Sequence, residues 1–363
     1  MAEAVARRGH EVEIMTTDFL RAGSEALPIR SAGGLTVRRY PVLPPRSLKP
    51  SLGLWRQLRR RIERFDLVHV HSLYLFHSAV GPALCRQRGV PYVVRPHGSL
   101  DPLIWQRRRG RKRIAEHLFE ARNLARCAAV HFTHPREQRE ACLGGWPAAF
   151  VCPLGVDVEA LRPSATGREL AEFRDRVGIE PDDRVALFLG RLTQRKGAHL
   201  AVAAAARLGT ETRLKILLAG RDQEGLVASK RAAGTLPPAV RWCGQLDDGE
   251  RRLALAAADV LIAPSSYDNF GLSVLEAMAA GLPPIVSSAV ALADEVAQHQ
   301  AGWVVELGDE RAARTLAEAI VRALEAPSER QQRARRARDL AQRFDWQRIG
   351  ELMEDHYHRI VAP

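Results

Sequence analysis

Two carboxylates, Asp268 and Glu276, are separated by seven other residues in the run Pro264-Ser-Ser-Tyr-Asp-Asn-Phe-Gly-Leu-Ser-Val-Leu-Glu-Ala-Met-Ala-Ala-Gly-Leu-Pro283. The run reads as a strand end, a loop and a helix start, which is where α/β folds gather ligands. A loop of Asn269, Phe270 and Gly271 can turn backbone N–H groups toward an anion, and the helix that opens at Leu272 adds the partial positive charge of its N-terminus. That suits a diphosphate. Glu276, one to two turns into the helix, is placed to offer its carboxylate to ribose hydroxyls, leaving Asp268 at the loop mouth to meet a sugar.

A second constellation, Phe188-Leu-Gly-Arg-Leu-Thr-Gln-Arg-Lys-Gly197, places Arg191, Arg195 and Lys196 beside flexible glycines after a strand. Cations there would neutralise a departing diphosphate without a metal ion; a purely structural glycine-rich turn is the other reading. His97, in Arg95-Pro-His-Gly-Ser-Leu-Asp-Pro102, also follows a strand, with turn residues around it, so its side chain can face an interdomain cleft. His69, His71 and His77 alternate with apolar residues and are expected in core or hydrogen-bonding roles. No spacing of His or carboxylates identifies a metal site by itself, so no metal site and no cofactor is expected. The five cysteines (Cys85, Cys127, Cys142, Cys152, Cys243) lack paired spacing and read as buried, reduced thiols.

Strand-like runs at Val12 to Thr17, Leu35 to Tyr40, Leu67 to His71, Tyr92 to Pro96, Val130 to Thr133 and Phe150 to Val151 alternate with helical patterns. A second set runs through Val185 to Gly190, Leu214 to Ala219, Val240 to Cys243, Val260 to Ala263, Pro284 to Ser287 and Gly302 to Val305. Such alternation predicts an α/β fold with two doubly wound parallel sheets. The turn-rich Pro153-Leu-Gly-Val-Asp157 marks the boundary between them, and an Arg-rich helical segment from about Glu329, broken near Phe344, ends the chain. At 363 residues, two domains are expected.

Composition narrows the classes of function. With 46% hydrophobic and 26% charged residues the chain is globular, and its apolar runs fall short of the roughly 20 residues of a membrane span. Its start lacks the apolar core of a secretory signal, so a place inside the cell is expected. The net charge of +12 is uneven: residues 1–163 carry 27 Lys and Arg against 14 Asp and Glu, and residues 164–363 carry 27 against 28. The dense stretches Arg56 to Arg64 and Arg107 to Arg113 suit anionic lipid head groups, a solvated helix face or nucleic acid. Aromatic residues make up only 6%, which disfavours a nucleic-acid binder that stacks bases.

Taken together, these segments resemble the retaining GT-B glycosyltransferases of group 1, the bacterial polysaccharide and lipopolysaccharide type. The family's paired acidic residues match Asp268 and Glu276 around NFGLSVL, and its GRL…KG element matches Gly190 to Gly197. PLGVD matches the interdomain linker, FDW at 344–346 the start of the C-terminal helix, and HGSLDP a motif of polysaccharide-type members. The resemblance implies two Rossmann-like domains facing across a cleft: 1–153 binding acceptor, 154–343 binding nucleotide sugar, and 344–363 crossing back onto the first. It assigns His97 and Asp268 to catalysis, and Arg191, Lys196, Asn269, Phe270, Gly271, Leu272 and Glu276 to the donor. No protein nucleophile is implied.

Two departures stand out: Asp268 replaces the more usual Glu, and the first strand with its Gly-Gly loop is missing ahead of Met1. Gly33-Gly34 precedes a strand and reads as a turn. The expected activity is transfer of a hexose from a UDP- or GDP-linked sugar to a glycan or lipid-linked acceptor in cell-surface polysaccharide synthesis, in the cytoplasm or peripherally at the inner membrane face. The competing expectation is an inactive or binding-only relic, with a GT-B sugar-nucleotide epimerase behind it.

Overall fold

Short runs rich in Val, Ile, Tyr and Phe set the strands, and in the computed structural model they assemble two units, described here through residues 1–18, 29–30, 33–45, 47–102, 105, 109–162, 166–208 and 213–362. One unit comprises Met1–Gly155 together with Trp346–Pro363, and the other Val156–Asp345. Residues 107 and 108 of the Arg107 to Arg113 cluster lie outside the described residues.

In the first unit β1 (Val12–Asp18) pairs in parallel with β3 (Leu35–Pro41), from Val12 opposite Leu35 to Asp18 opposite Pro41, and β2 (Ile29–Arg30) adds to β3 antiparallel. Gly33 and Gly34 form the turn into β3, both with positive φ. A second sheet, β4 (Val68–His71), β5 (Tyr92–Arg95), β6 (Ala129–Phe132) and β7 (Ala149–Val151), is parallel throughout and runs in that order. Among the described residues β1 and β4 each pair on one side only. The helix Phe76–Arg88 ends at Gly89 in the left-handed region, which a Cβ would disfavour. Ile62, Leu84, Tyr92, Val94, Leu124, Val130 and Phe132 fill the core beside the second sheet.

The terminal helix Trp346–Val361 belongs to this unit although 190 residues of the other unit precede it in the chain. Ile349 and Met353, with at most 1% exposure, pack with Val5, Val12, Phe150 and Cys152, so residues of the first helix, β1 and β7 share one small core with it. The Tyr357 hydroxyl lies 2.6 Å from His69 Nδ1 on β4, and His356 stacks on Phe150 at 4.2 Å.

The second unit holds one parallel sheet: β8 (Arg184–Leu189), β9 (Leu214–Ala219), β10 (Val240–Gly244), β11 (Val260–Ala263), β12 (Pro284–Ser287) and β13 (Trp303–Val305), in the order β10-β9-β8-β11-β12-β13. The Arg-rich segment forms the helix Pro327–Gln342, whose Leu340 and Ala341 are buried. β11 and β12 are buried at every position, as strands covered on both faces are. Of the five thiols only Cys85, Cys127 and Cys152 are buried; Cys142 is exposed and Cys243 half-buried, which corrects the expectation for those two, because Cys142 lies in the connection before β7 and Cys243 on the edge strand β10. Among the described residues no helix is long and apolar enough to cross a membrane.

A Cβ on Gly155 would clash with the Trp346 ring, so the terminal helix can start there only against a bare backbone. Gly155→Ala is expected to destabilise the first unit by about 1–3 kcal/mol, the usual cost of overpacking. A denaturant midpoint equal to that of the parent chain would show that the indole moves aside freely.

Candidate functional site

β8 lies between β9 and β11, so the connections leaving β8 and β11 diverge to opposite sides, and the crevice above their C-terminal ends is the topological switch point of the sheet. The two segments singled out from the sequence are the loops at that point. They touch: the Ser266 N–H donates to Arg195 O at 2.9 Å, and a Cβ on Gly197 would run into Pro264 O. Gly197, with φ +76, caps the helix Ala198–Ala205, so only glycine permits both the conformation and the approach.

The result is a charged cluster. Lys196 Nζ lies 2.5 Å from Asp268 Oδ2, both side chains largely buried. The other carboxylate oxygen accepts the Gly271 N–H at 3.1 Å and the Phe270 N–H at 3.4 Å. Asp268 thus occupies the cation and the loop donors that an anion would use, a contact made possible by its short side chain, which folds back on its own loop. The Phe270 ring is buried, edge-on to Phe344, so this residue anchors the loop and offers only its backbone outward. Leu272 is 42% exposed at the first position of the helix Leu272–Ala279.

Glu276 sits in the next turn of that helix, its side chain 13% exposed, and Arg251 Nη1 donates to its Oε1 at 3.1 Å. Burial raises its pKa and Arg251 opposes the rise. Arg191 is exposed and reaches Gln223 Oε1 at 3.4 Å. Asn269 is half-buried in the loop. The second unit therefore brings together Lys196, Asp268 and the Asn269–Gly271 loop, sets Glu276 behind them, and leaves Arg191 at the rim. Arg251 was not foreseen: it stands on the helix Asp248–Ala257, and nothing in its own segment distinguishes it from any surface arginine.

His97 belongs to the first unit, in the loop after β5. Its backbone is left-handed, φ +54, as are those of Ser72 and Tyr74 after β4. Three strained non-glycine residues at strand ends mark a place held in shape by its surroundings. Glu137 does part of the holding: its carboxylate accepts the N–H of Gly98 at 2.8 Å and both the N–H and hydroxyl of Thr133. Glu120, fully buried on the π-helical turn Glu116–Glu120, accepts the Tyr74 N–H at 2.5 Å and the Ser78 hydroxyl, and burial pushes it up to about 7. The spacing of neither acid announced this role.

His97 Nε2 lies 2.9 Å from His71 Nδ1, and His77 Nε2 reaches His71 O at 2.6 Å. His131 links Cys152 O, at 2.7 Å, to His69. Burial first, then the Arg95 guanidinium, holds His71 at about 3 and His97 at about 4. Both are neutral at pH 7, where each can donate through one ring nitrogen and accept through the other. The hydrogen-bonding roles expected of His69, His71 and His77 are what the structure shows.

Comparison with known proteins adds a family dimension. The profile of Glycosyl transferases group 1 matches residues 170–340, and that of Glycosyltransferase Family 4 matches residues 1–160. D-inositol 3-phosphate glycosyltransferase of Kineococcus radiotolerans is 30% identical over 397 residues, covering 99% of this chain and 89% of its own length. Phosphatidyl-myo-inositol mannosyltransferase of Mycolicibacterium smegmatis is 28% identical, covering 95% and 84%. Among solved structures, sucrose-phosphate synthase from Thermosynechococcus elongatus shares the fold with a TM-score of 0.79, at 23% identity over 99% of this chain and 92% of that one.

Two outcomes are expected from this geometry. Asp268→Asn removes the carboxylate that engages Lys196 and the loop N–H groups, so an added nucleoside diphosphate should bind about tenfold more tightly by calorimetry, whereas Glu276→Ala should abolish binding; unchanged affinity in Glu276→Ala would sink the site. The histidine cluster sets the second. Because the folded-state pKa values lie below the ordinary 6.5, the unfolded chain protonates first, so this stabilisation is complete above pH about 6.5 and lost as pH falls from there through about 4 to about 3. The melting temperature should drop through that window, less steeply in His131→Gln; a slope unaffected by the substitution would absolve the cluster.

Proposed function

The chain belongs to the group 1 glycosyltransferases, and on that premise we propose that it is a retaining enzyme moving a hexose from a UDP- or GDP-linked sugar to a glycan or lipid-linked acceptor in cell-surface polysaccharide synthesis. The observation that carries the reading is the convergence of Lys196, Asp268 and the Asn269–Gly271 N–H groups at the switch point of the second sheet, with Glu276 one turn behind.

In this reading the second unit holds the donor. Glu276, its carboxylate steadied by Arg251, accepts from the ribose hydroxyls. Lys196, the loop N–H groups and Arg191 take the diphosphate and stabilise the charge that grows on its β-phosphate as the glycosidic bond breaks. Their positive charge does the work a divalent ion does elsewhere, so the transfer is metal-independent. Asp268 exchanges its internal partners for hydroxyls of the hexose. No side chain attacks the sugar; the acceptor hydroxyl approaches on the face the phosphate leaves, and a phosphate oxygen takes its proton.

His97 is the first unit's contribution. A neutral imidazole with one nitrogen engaged by His71 has its other nitrogen for a hydroxyl of the acceptor. The basic first half suits a lipid-linked acceptor at the inner face of the membrane, and the same unit exposes Leu43, Leu48 and Leu52 as well as Arg56, Arg59 and Arg60 of the helix Leu52–Arg61. The first unit is then the acceptor-binding one. The curated relative from Mycolicibacterium smegmatis, named for a phosphatidyl-myo-inositol acceptor, supports this direction.

The full chain is to be screened by thermal shift against UDP, GDP, ADP and their glucose and mannose conjugates, followed by transfer assays with the ligand that binds. A selective rise with one nucleotide supports the donor assignment, since a ligand specific to the folded state raises its melting temperature. His97→Ala should keep that rise and lose transfer. Binding without turnover in the parent chain would favour the binding-only alternative, and no response to any nucleotide would overturn the donor site.

A further inference from the structure

Outside this site, one group of side chains has the composition of a metal centre. His10 follows the first helix and precedes β1, while Glu354 and His358 stand one turn apart on the terminal helix, on one face. One ligand atom from each of the three lies within 4.8 Å of the other two. His10 Nε2 is 2.6 Å from Glu354 Oε1, and the rings of His10 and His358 have centroids 5.8 Å apart. Two imidazoles bound tetrahedrally to one zinc ion, with Zn–N near 2.0–2.1 Å, would place their centroids about 5 Å apart, so a small closure brings both to a single ion.

We propose that His10, Glu354 and His358 form a binding site for a zinc-like divalent cation that fastens the terminal helix to the start of β1. Two ring nitrogens and one carboxylate oxygen favour Zn²⁺, Co²⁺ or Ni²⁺ over Mg²⁺ and Ca²⁺, which require oxygen-rich shells. The three side chains leave a fourth tetrahedral position to water. Glu354 is already oriented for coordination, since Arg8 Nε donates to its Oε2 at 2.5 Å while Oε1 faces His10; the guanidinium plays the part of an outer partner that fixes a ligating carboxylate. Arg8 also reaches Glu351 Oε1 at 3.4 Å, which spreads its charge over two acids instead of one. His10 and His358 are both reachable from solvent.

The site differs from the donor cluster in unit, residue types and consequence. It would act on stability, because 343 residues separate His10 from Glu354 and an ion joining them closes that long loop. Its occupancy does not depend on the proposed transfer reaction.

The test uses the full, metal-free chain. Co²⁺ titration should reach one equivalent with visible d–d absorption that Zn²⁺ abolishes, and Zn²⁺ but not Mg²⁺ should raise the melting temperature. His358→Ala, an exposed position whose melt without metal should match the parent, and His10→Ala should each weaken Co²⁺ binding by at least about tenfold. His299→Ala, in the other unit, should leave it unchanged. The proposal falls if the parent chain binds no Co²⁺ below millimolar concentration, or if His358→Ala binds it as the parent does.

Discussion

The first unit depends on a helix that follows the whole second unit in the chain. Trp346–Val361 supplies Ile349 and Met353 to a core shared with the first helix, β1 and β7, and its polar face binds Arg8 and His10 through Glu354 and His69 through Tyr357. The described strands of this unit form two sheets that each end in a strand paired on one side, so hydrogen bonding within the sheets does not join them. Apolar burial against the terminal helix does. Each buried aliphatic side chain there is worth about 1.5–3 kcal/mol, enough for a few residues to decide whether the unit closes.

The second unit needs no such clasp, because its six strands form one continuous sheet. What it requires is proximity of two loops. Their contact through Gly197 and Ser266 brings a cation from one beside an anion from the other, and the Lys196–Asp268 pair is the electrostatic product. A buried ion pair of this kind contributes little net stability, since desolvation offsets the attraction. The pair fixes both groups in orientation, with most of each side chain already out of water.

Much of this was legible because it is local. Strands such as Val260 to Ala263 announce themselves by unbroken apolar runs, and the residues Asn269 to Gly271 before an apolar helix announce a loop that ends at the helix start. Pairings across the fold had no such signal. Nothing near Arg251 indicates that it will reach Glu276, and the turn chemistry that places Asp268 in its loop does not say that its carboxylate will face Lys196. The division of the first unit into two sheets also depends on which strands meet, which periodicity does not encode. Glu354 and His358 do have helical spacing, but His10, the third member of that group, comes from the other end of the chain.

The return of the chain to its first unit has a consequence for synthesis. The last residues needed to complete that unit, Ile349 to Tyr357, leave the ribosome after the whole of Val156–Asp345. Domains ordinarily fold in the order they emerge. Here the order inverts: the sheet of the second unit can close while the first still exposes Val5, Val12 and Phe150, so the nascent protein carries an open apolar seam until the helix Trp346–Val361 emerges. A chain interrupted within Trp346–Val361 would carry a second unit free to fold and a first unit whose small core of Val5, Val12 and Phe150 stays open.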